Sequence, residues 1–167
     1  VTAAAGTLTG STLASGVTAS SLTSVGSLTA LTVSGTSTIQ QTLELATVSA
    51  TAATGTINFD ALTQAVLYYT SNASANWTLN VRGSSGTSLN TMMSTGQSLT
   101  IVFLVTQGTT AYYPSAHQVD GSSITPKWQG GTAPTSGNAS GIDAYVYTII
   151  KTGSATFTML ASQTQFK

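Results

Sequence analysis

The stretch DAYVYTIIKTGSATFTMLASQTQF, residues 143–166, reads as a β-hairpin. DAYVYTIIK and SATFTMLASQTQF are rich in β-branched and aromatic residues, which favour a pleated, half-buried surface. They meet at Lys151-Thr152-Gly153-Ser154, a short connection containing Gly. Further strand candidates lie upstream: TINF at 56–59, QAVLYYT at 64–70, NWTLNVRG at 76–83, SLTIVFLVTQG at 98–108 and TAYYPS at 110–115. NWTLNVRG alternates at period two, with Trp77, Leu79 and Val81 on one face and Thr78, Asn80 and Arg82 on the other. SLTIVFLVTQG is apolar at successive positions, the pattern of a central strand buried on both faces. No long 3.6-residue apolar stripe supports an α-rich fold; a short, weak helical pattern runs through 43–45. Short strands separated by Gly, Asn and Ser turns predict an all-β chain, with an antiparallel β-sandwich or jelly-roll-like head over 55–167.

The head is preceded by an unusual tract. The first charged residue of the chain is Glu44, and residues 6–35 hold no charge, no Pro and no aromatic ring. Gly6, Gly16, Gly26 and Gly35 recur at a near-regular spacing. Short Thr/Ser-rich segments between them carry a few aliphatics, including Leu13, Val17, Leu22, Val25, Leu28, Leu31 and Val33. Each unit reads as a short strand and a turn, with Gly serving the turn. One unit cannot bury its few aliphatics alone. Several chains wrapped about a common axis could point Leu and Val inward and leave Thr and Ser in water. A flexible Ser/Thr-rich linker is the alternative, but a linker has no need of regular aliphatics. The tract, 1–54, is therefore expected to be a fibrous repeat shaft or an attachment arm, with those seven aliphatics as its core.

Composition narrows the function classes. Charged residues are 5% of the 167 positions and the formal net charge is +0, against about 25% charged in an ordinary soluble domain. Nothing steers the chain to nucleic acid or an anionic membrane. Low charge with high β-propensity is an aggregation hazard unless strand edges are paired, covered or closed. An assembly is the expected solution. There is no Cys, so disulfides and thiolate metal sites are excluded. No apolar run approaches the roughly 20 residues needed to span a bilayer, and no signal peptide is visible. The chain starts at Val1, as expected of a processed form or a piece of something longer.

The catalytic inventory is poor. The only His is His117 and the only acids are Glu44, Asp60, Asp120 and Asp143. HQVD spaces His117 and Asp120 as a metal pair with no third ligand; the Asp-Gly step that follows is a hairpin-turn signature. Asp120 and Asp143 are the acids considered as a carboxylate pair, and nothing in their spacing pairs them across a cleft. No cofactor or metal is expected. The stretch AYYPSAHQVDGSSITPKWQGG gathers Tyr112, Tyr113, His117, Asp120, Lys127 and Trp128 among turn residues. Exposed aromatic rings beside amides and charges suit a sugar or a protein partner, or a contact between neighbouring heads. The alternative is that the rings plug the core.

TLASGVTASSLTSVGSLTALTVSG resembles the low-charge repeats of tail-fibre and other virion surface proteins of tailed bacteriophages, particularly phages of marine bacteria such as cyanobacteria. The downstream sequence, including KWQGGTAPTSGNAS and the ASQTQFK ending, is similar to a recurrent carboxy-terminal domain of such proteins. The resemblance implies a non-enzymatic, homotrimeric component of the virion surface or tail, with an amino-terminal shaft and a carboxy-terminal head. It carries over no catalytic motif. The implied partners are the chain itself, other virion proteins and a host surface glycan or protein, with no nucleic acid and no membrane insertion. Two variants remain open: a capsid decoration protein whose arm binds the shell, and a carbohydrate-binding adhesin head.

Overall fold

The computed structural model describes residues 31–33 and 35–167. The chain divides between Gln41 and Thr42. Upstream of that division the described residues form no helix or strand, and Leu31, Val33 and Ile39 are exposed. Leu13, Val17, Leu22, Val25 and Leu28 lie outside the described residues. No helix forms at 43–45.

Residues 42–167 build two sheets around one core. The strands are β1 (Ala46–Ala52), β2 (Gly55–Asp60), β3 (Val66–Ser71), β4 (Trp77–Arg82), β5 (Ser98–Thr106), β6 (Pro114–Val119), β7 (Ser122–Ser123), β8 (Lys127–Trp128), β9 (Ile142–Gly153) and β10 (Thr156–Phe166). A four-residue α-helix, α1 (Leu89–Met92), precedes β5, and a short 3-10 turn, Gln129–Gly131, follows β8. The large sheet has the order β1-β3-β5-β9-β10-β8 and the small sheet β2-β4-β6-β7. The all-β expectation therefore holds, and sheet pairing starts at β1, upstream of Gly55.

The pairing is not the antiparallel one expected. β1, β3 and β5 run parallel, as do β2, β4 and β6. The first six strands alternate between the sheets, so each strand returning to a sheet runs in the direction of its predecessor. Ala46 lies beside Val66 and Thr56 beside Thr78, partners about twenty residues apart, the length of a short solenoid repeat. The corner from β1 to β2 is only two residues long and ends at Gly55, whose φ of 60° suits glycine. Two of the antiparallel pairs are joined by tight hairpin turns. Asp120 (φ 51°) and Gly121 (φ 79°) join β6 to β7, the two positive φ values that an Asp-Gly hairpin turn requires. β9 and β10 pair antiparallel, and β9 also lies antiparallel to β5. Their turn is Ser154-Ala155, one step beyond the expected connection, and Ala155 rather than Gly153 takes the positive φ. TAYYPS is not a strand: pairing begins at Pro114 and continues through the more polar SAHQV.

Alternation decides what is inside. Trp77, Leu79 and Val81 of β4 are buried, as are Ile101, Phe103 and Val105 of β5 and Tyr145, Tyr147 and Ile149 of β9. Trp77 is at the centre, edge-on to Phe103 at 5.7 Å and to Tyr145 at 6.0 Å between ring centroids. Each such aromatic pair adds about 0.5–1.5 kcal/mol beyond its burial. The Trp77 indole N–H is buried without a partner.

Candidate functional site

The aromatic and polar residues singled out around 112–128 separate into distinct environments. On β6, the parallel register sets His117 beside Leu79, facing inward. On β8, Trp128 pairs with Ala161 and also turns toward the core. The two rings meet edge-on at 5.6 Å, and both pack against Tyr147. His117 Nε2 stands 3.0 Å from the Tyr147 hydroxyl. Burial pushes the imidazole pKa down to about 4, because a charged ring would lose its hydration there. Burial also holds the Tyr147 phenol well above its ordinary value, with Tyr145 adding to the effect. At neutral pH this is an uncharged triad of rings.

Above the triad lies a groove of about 360 Å³. Tyr113, Pro114, His117, Pro126 and Trp128 supply its apolar walls, while Ser115, Ser123 and Thr125 supply hydroxyls. No charged side chain lines it. Such a surface can stack an apolar face and exchange hydrogen bonds with hydroxyls or amides of a neutral ligand. It offers no carboxylate for general acid or base work.

Asp120 is committed elsewhere. Its carboxylate accepts hydrogen bonds from the backbone N–H groups of Leu89 (2.6 Å) and Asn90 (2.9 Å), at the first turn of α1. It therefore shares no partner with His117. Tyr112 is tied through its backbone to the side chain of Gln107, by its N–H at 3.0 Å and its carbonyl at 2.6 Å. Lys127 is exposed and pairs in register with Leu160 on the outer side of the large sheet. So Tyr113, His117 and Trp128 come together at one groove, and Tyr112, Asp120 and Lys127 do not join them.

Two charged residues lie buried, Asp143, considered from the sequence only as half of a carboxylate pair, and Lys151, to which the sequence pattern attaches no role. Asp143 is fully buried and accepts from the Gln107 amide (2.8 Å), the Asn138 N–H (3.0 Å) and the Gln163 amide (3.0 Å). That carboxylate also helps burial to hold the neighbouring Tyr145 phenol far above its ordinary value, with the Gln163 hydrogen bond opposing. Lys151 is buried, and its Nζ donates to the carbonyls of Asn90 (2.6 Å) and Met93 (2.8 Å). The period-two pattern of DAYVYTIIK already places 143, 145, 147, 149 and 151 on one face, which was the available signal. Asp120 and Asp143 sit in separate networks, so they form no facing carboxylate pair. Among the described residues, no cluster of three or more His, Asp or Glu side chains could hold a metal ion, and no helix is long and apolar enough to cross a membrane. A larger hollow of about 610 Å³, lined in part by Asn72, Gln107, Gly141 and Phe166, contains none of the aromatic site residues.

Comparison of the chain with protein-family models, with curated proteins and with solved structures finds no match.

Proposed function

We propose that this chain is a non-enzymatic structural subunit of a bacteriophage virion, a fibre or spike component that works as a homotrimer on the external surface or tail. One observation carries the reading: 43 residues without a single charge, bearing regular glycines and aliphatics, precede a β-rich unit. The resemblance to phage fibre repeats supports it. Identical chains aligned in register would stack like charges on one another, so an uncharged tract suits such an alignment. The aggregation hazard of uncharged β-prone segments is contained when their edges are paired within the assembly. The head would contact the host surface or cap the fibre.

Light scattering of the purified full-length chain tests this. The expected native mass is three times the 16.8 kDa of one chain. Leu22→Asp and Val33→Asp should each abolish that mass, since every copy would bring a carboxylate to the axis. A monomeric wild-type chain, or normal assembly of both variants, would overturn the trimeric fibre.

The uncharged groove beside Tyr113 and Trp128 favours a second reading for the head, a carbohydrate-binding adhesin. Trp128→Ala should then lower binding to host cells or to a glycan array. Unchanged binding would leave the groove as a structural seam.

A further inference from the structure

The two sheets differ in what they show to the outside. On the outer side of the small sheet Asn58, Asn80 and Gln118 share one register row, with Asn58 exposed, Gln118 half-buried and Asn80 buried under the Gly121 turn, and the partly exposed Asp60–Arg82 pair stands beside it. That is the polar face expected of a sheet in water. The large sheet is the reverse. One outward row runs Ala46, Val66, Val102, Val146. The next runs Val48, Tyr68, Leu104, Ala144, the last of these buried, and on β10 the two rows end at Ser162 and Thr164. No outward position of β1, β3, β5, β9 or β10 carries a charge, and Lys127 stands only at the β8 rim.

β5 makes the mismatch plain. Its sequence SLTIVFLVT has the composition of a strand covered on both sides, yet only Ile101, Phe103 and Val105 are buried while Val102 and Leu104 are half-buried. Four or five strands at ~4.8 Å spacing, with some 20 Å of length, give a face of roughly 400 Å², within the range of the largest patch on a typical monomer, which is often functional. At the β1 edge Val48 is 66% exposed, and Leu45 and Leu43 just upstream of that strand are 72% and 91% exposed.

We infer that the outer face of the large sheet is the surface on which copies of this chain pack against one another, with the small sheet turned to solvent. A second copy fits for three reasons. A face without charges meets its own like with no charge buried and none opposed. The net charge of +0 lets copies approach without mutual repulsion. Most soluble oligomers are closed assemblies of identical chains. The inference rests on the composition of one sheet face and holds whatever particle the chain belongs to.

The absence of Cys makes the test direct. A single thiol is placed by Leu160→Cys on the outer face of the large sheet, or by Thr56→Cys on the outer face of the small sheet. Both positions are exposed in the lone chain. Maleimide labelling of the native full-length protein is followed alongside its native mass. The expected result is an oligomer in which Leu160→Cys labels at least ~10-fold more slowly than Thr56→Cys, the protection a stably closed contact gives, with equal rates in denaturant. Adding Val102→Lys should restore fast labelling while the far-ultraviolet dichroism stays that of the parent. An oligomer in which both thiols label equally fast would overturn the inference and leave the proposed fibre standing, held together by its amino-terminal tract. A monomer would overturn it too. A protected thiol in a monomer would mean that the chain's own tract lies on the sheet.

Discussion

His117 shows how one residue links packing to pH. It is the only His in the chain, and its pKa falls from the ordinary 6.5 to about 4 because burial excludes the charged form. Its folded pKa lies below its unfolded value, so the unfolded state binds the proton first as pH falls. The stability it confers is complete above about pH 6.5 and drains away between there and about pH 4. The loss is on the order of 3 kcal/mol. Urea unfolding at stepped pH should show this decline, and His117→Gln should flatten it. An equally steep decline in the variant would place the proton elsewhere. Ala155 gives a second test at this scale. Its φ of 48° lies in the left-handed region that costs a side chain about 1 kcal/mol or more. Ala155→Gly should raise the thermal midpoint by a few degrees, equivalent to ~0.5–1 kcal/mol. A lower midpoint would show that the hydrogen bond donated by the Ala155 N–H to Asn90 Oδ1, at 2.8 Å, depends on the methyl-bearing turn.

At the scale of elements, α1 is the least self-sufficient piece. Four residues cannot sustain a helix in water. It persists because both ends are clamped by charges of the right sign. Asp120 takes the first two N–H groups, the Ser88 hydroxyl takes that of Thr91 at 3.0 Å, and Lys151 takes carbonyls at the far end. This is the arrangement the helix dipole favours. Asp120→Ala should cost about 1–2 kcal/mol as a lost cap, and Lys151→Met about 1–3 kcal/mol by orphaning buried carbonyls. Measured together, the two should be coupled through the shared helix, and strict additivity would argue that each end is held independently.

Inward faces were legible wherever a strand alternated: 77, 79 and 81, or 145, 147 and 149, follow from period two alone. The Asp120-Gly121 hairpin was legible because its turn demands those residues. Strand direction was not legible, because a strand's side chains are the same whether its neighbour runs parallel or antiparallel. β1 was hidden in an Ala/Thr run with little to bury, and α1 was hidden because its stability comes from residues thirty and sixty positions away. The groove was half legible: Tyr113, His117 and Trp128 were marked, but the sequence gives no sign that Asp120 leaves them for a helix end.

For the whole molecule, the scarcity of charge sets how stability responds to solvent. Among the described residues the one ion pair is Asp60–Arg82, with Arg82 Nε donating to Asp60 Oδ1 at 2.6 Å. Both partners are partly exposed, and such pairs contribute about 0–1 kcal/mol. The buried charges Asp143 and Lys151 are held by amides and carbonyls, out of reach of mobile ions. Neither kind of contact gives salt much to screen. Raising sodium chloride from a few millimolar to half-molar should therefore shift the unfolding free energy by less than ~1 kcal/mol. Urea is the appropriate denaturant, since it carries no charge of its own. An oligomer packed on the large sheet should be equally indifferent, because an uncharged face loses nothing to screening. Dissociation on adding salt would mean that charged groups hold the copies together, and would point to Lys127 at the rim rather than to Val102 and Leu104 at the centre.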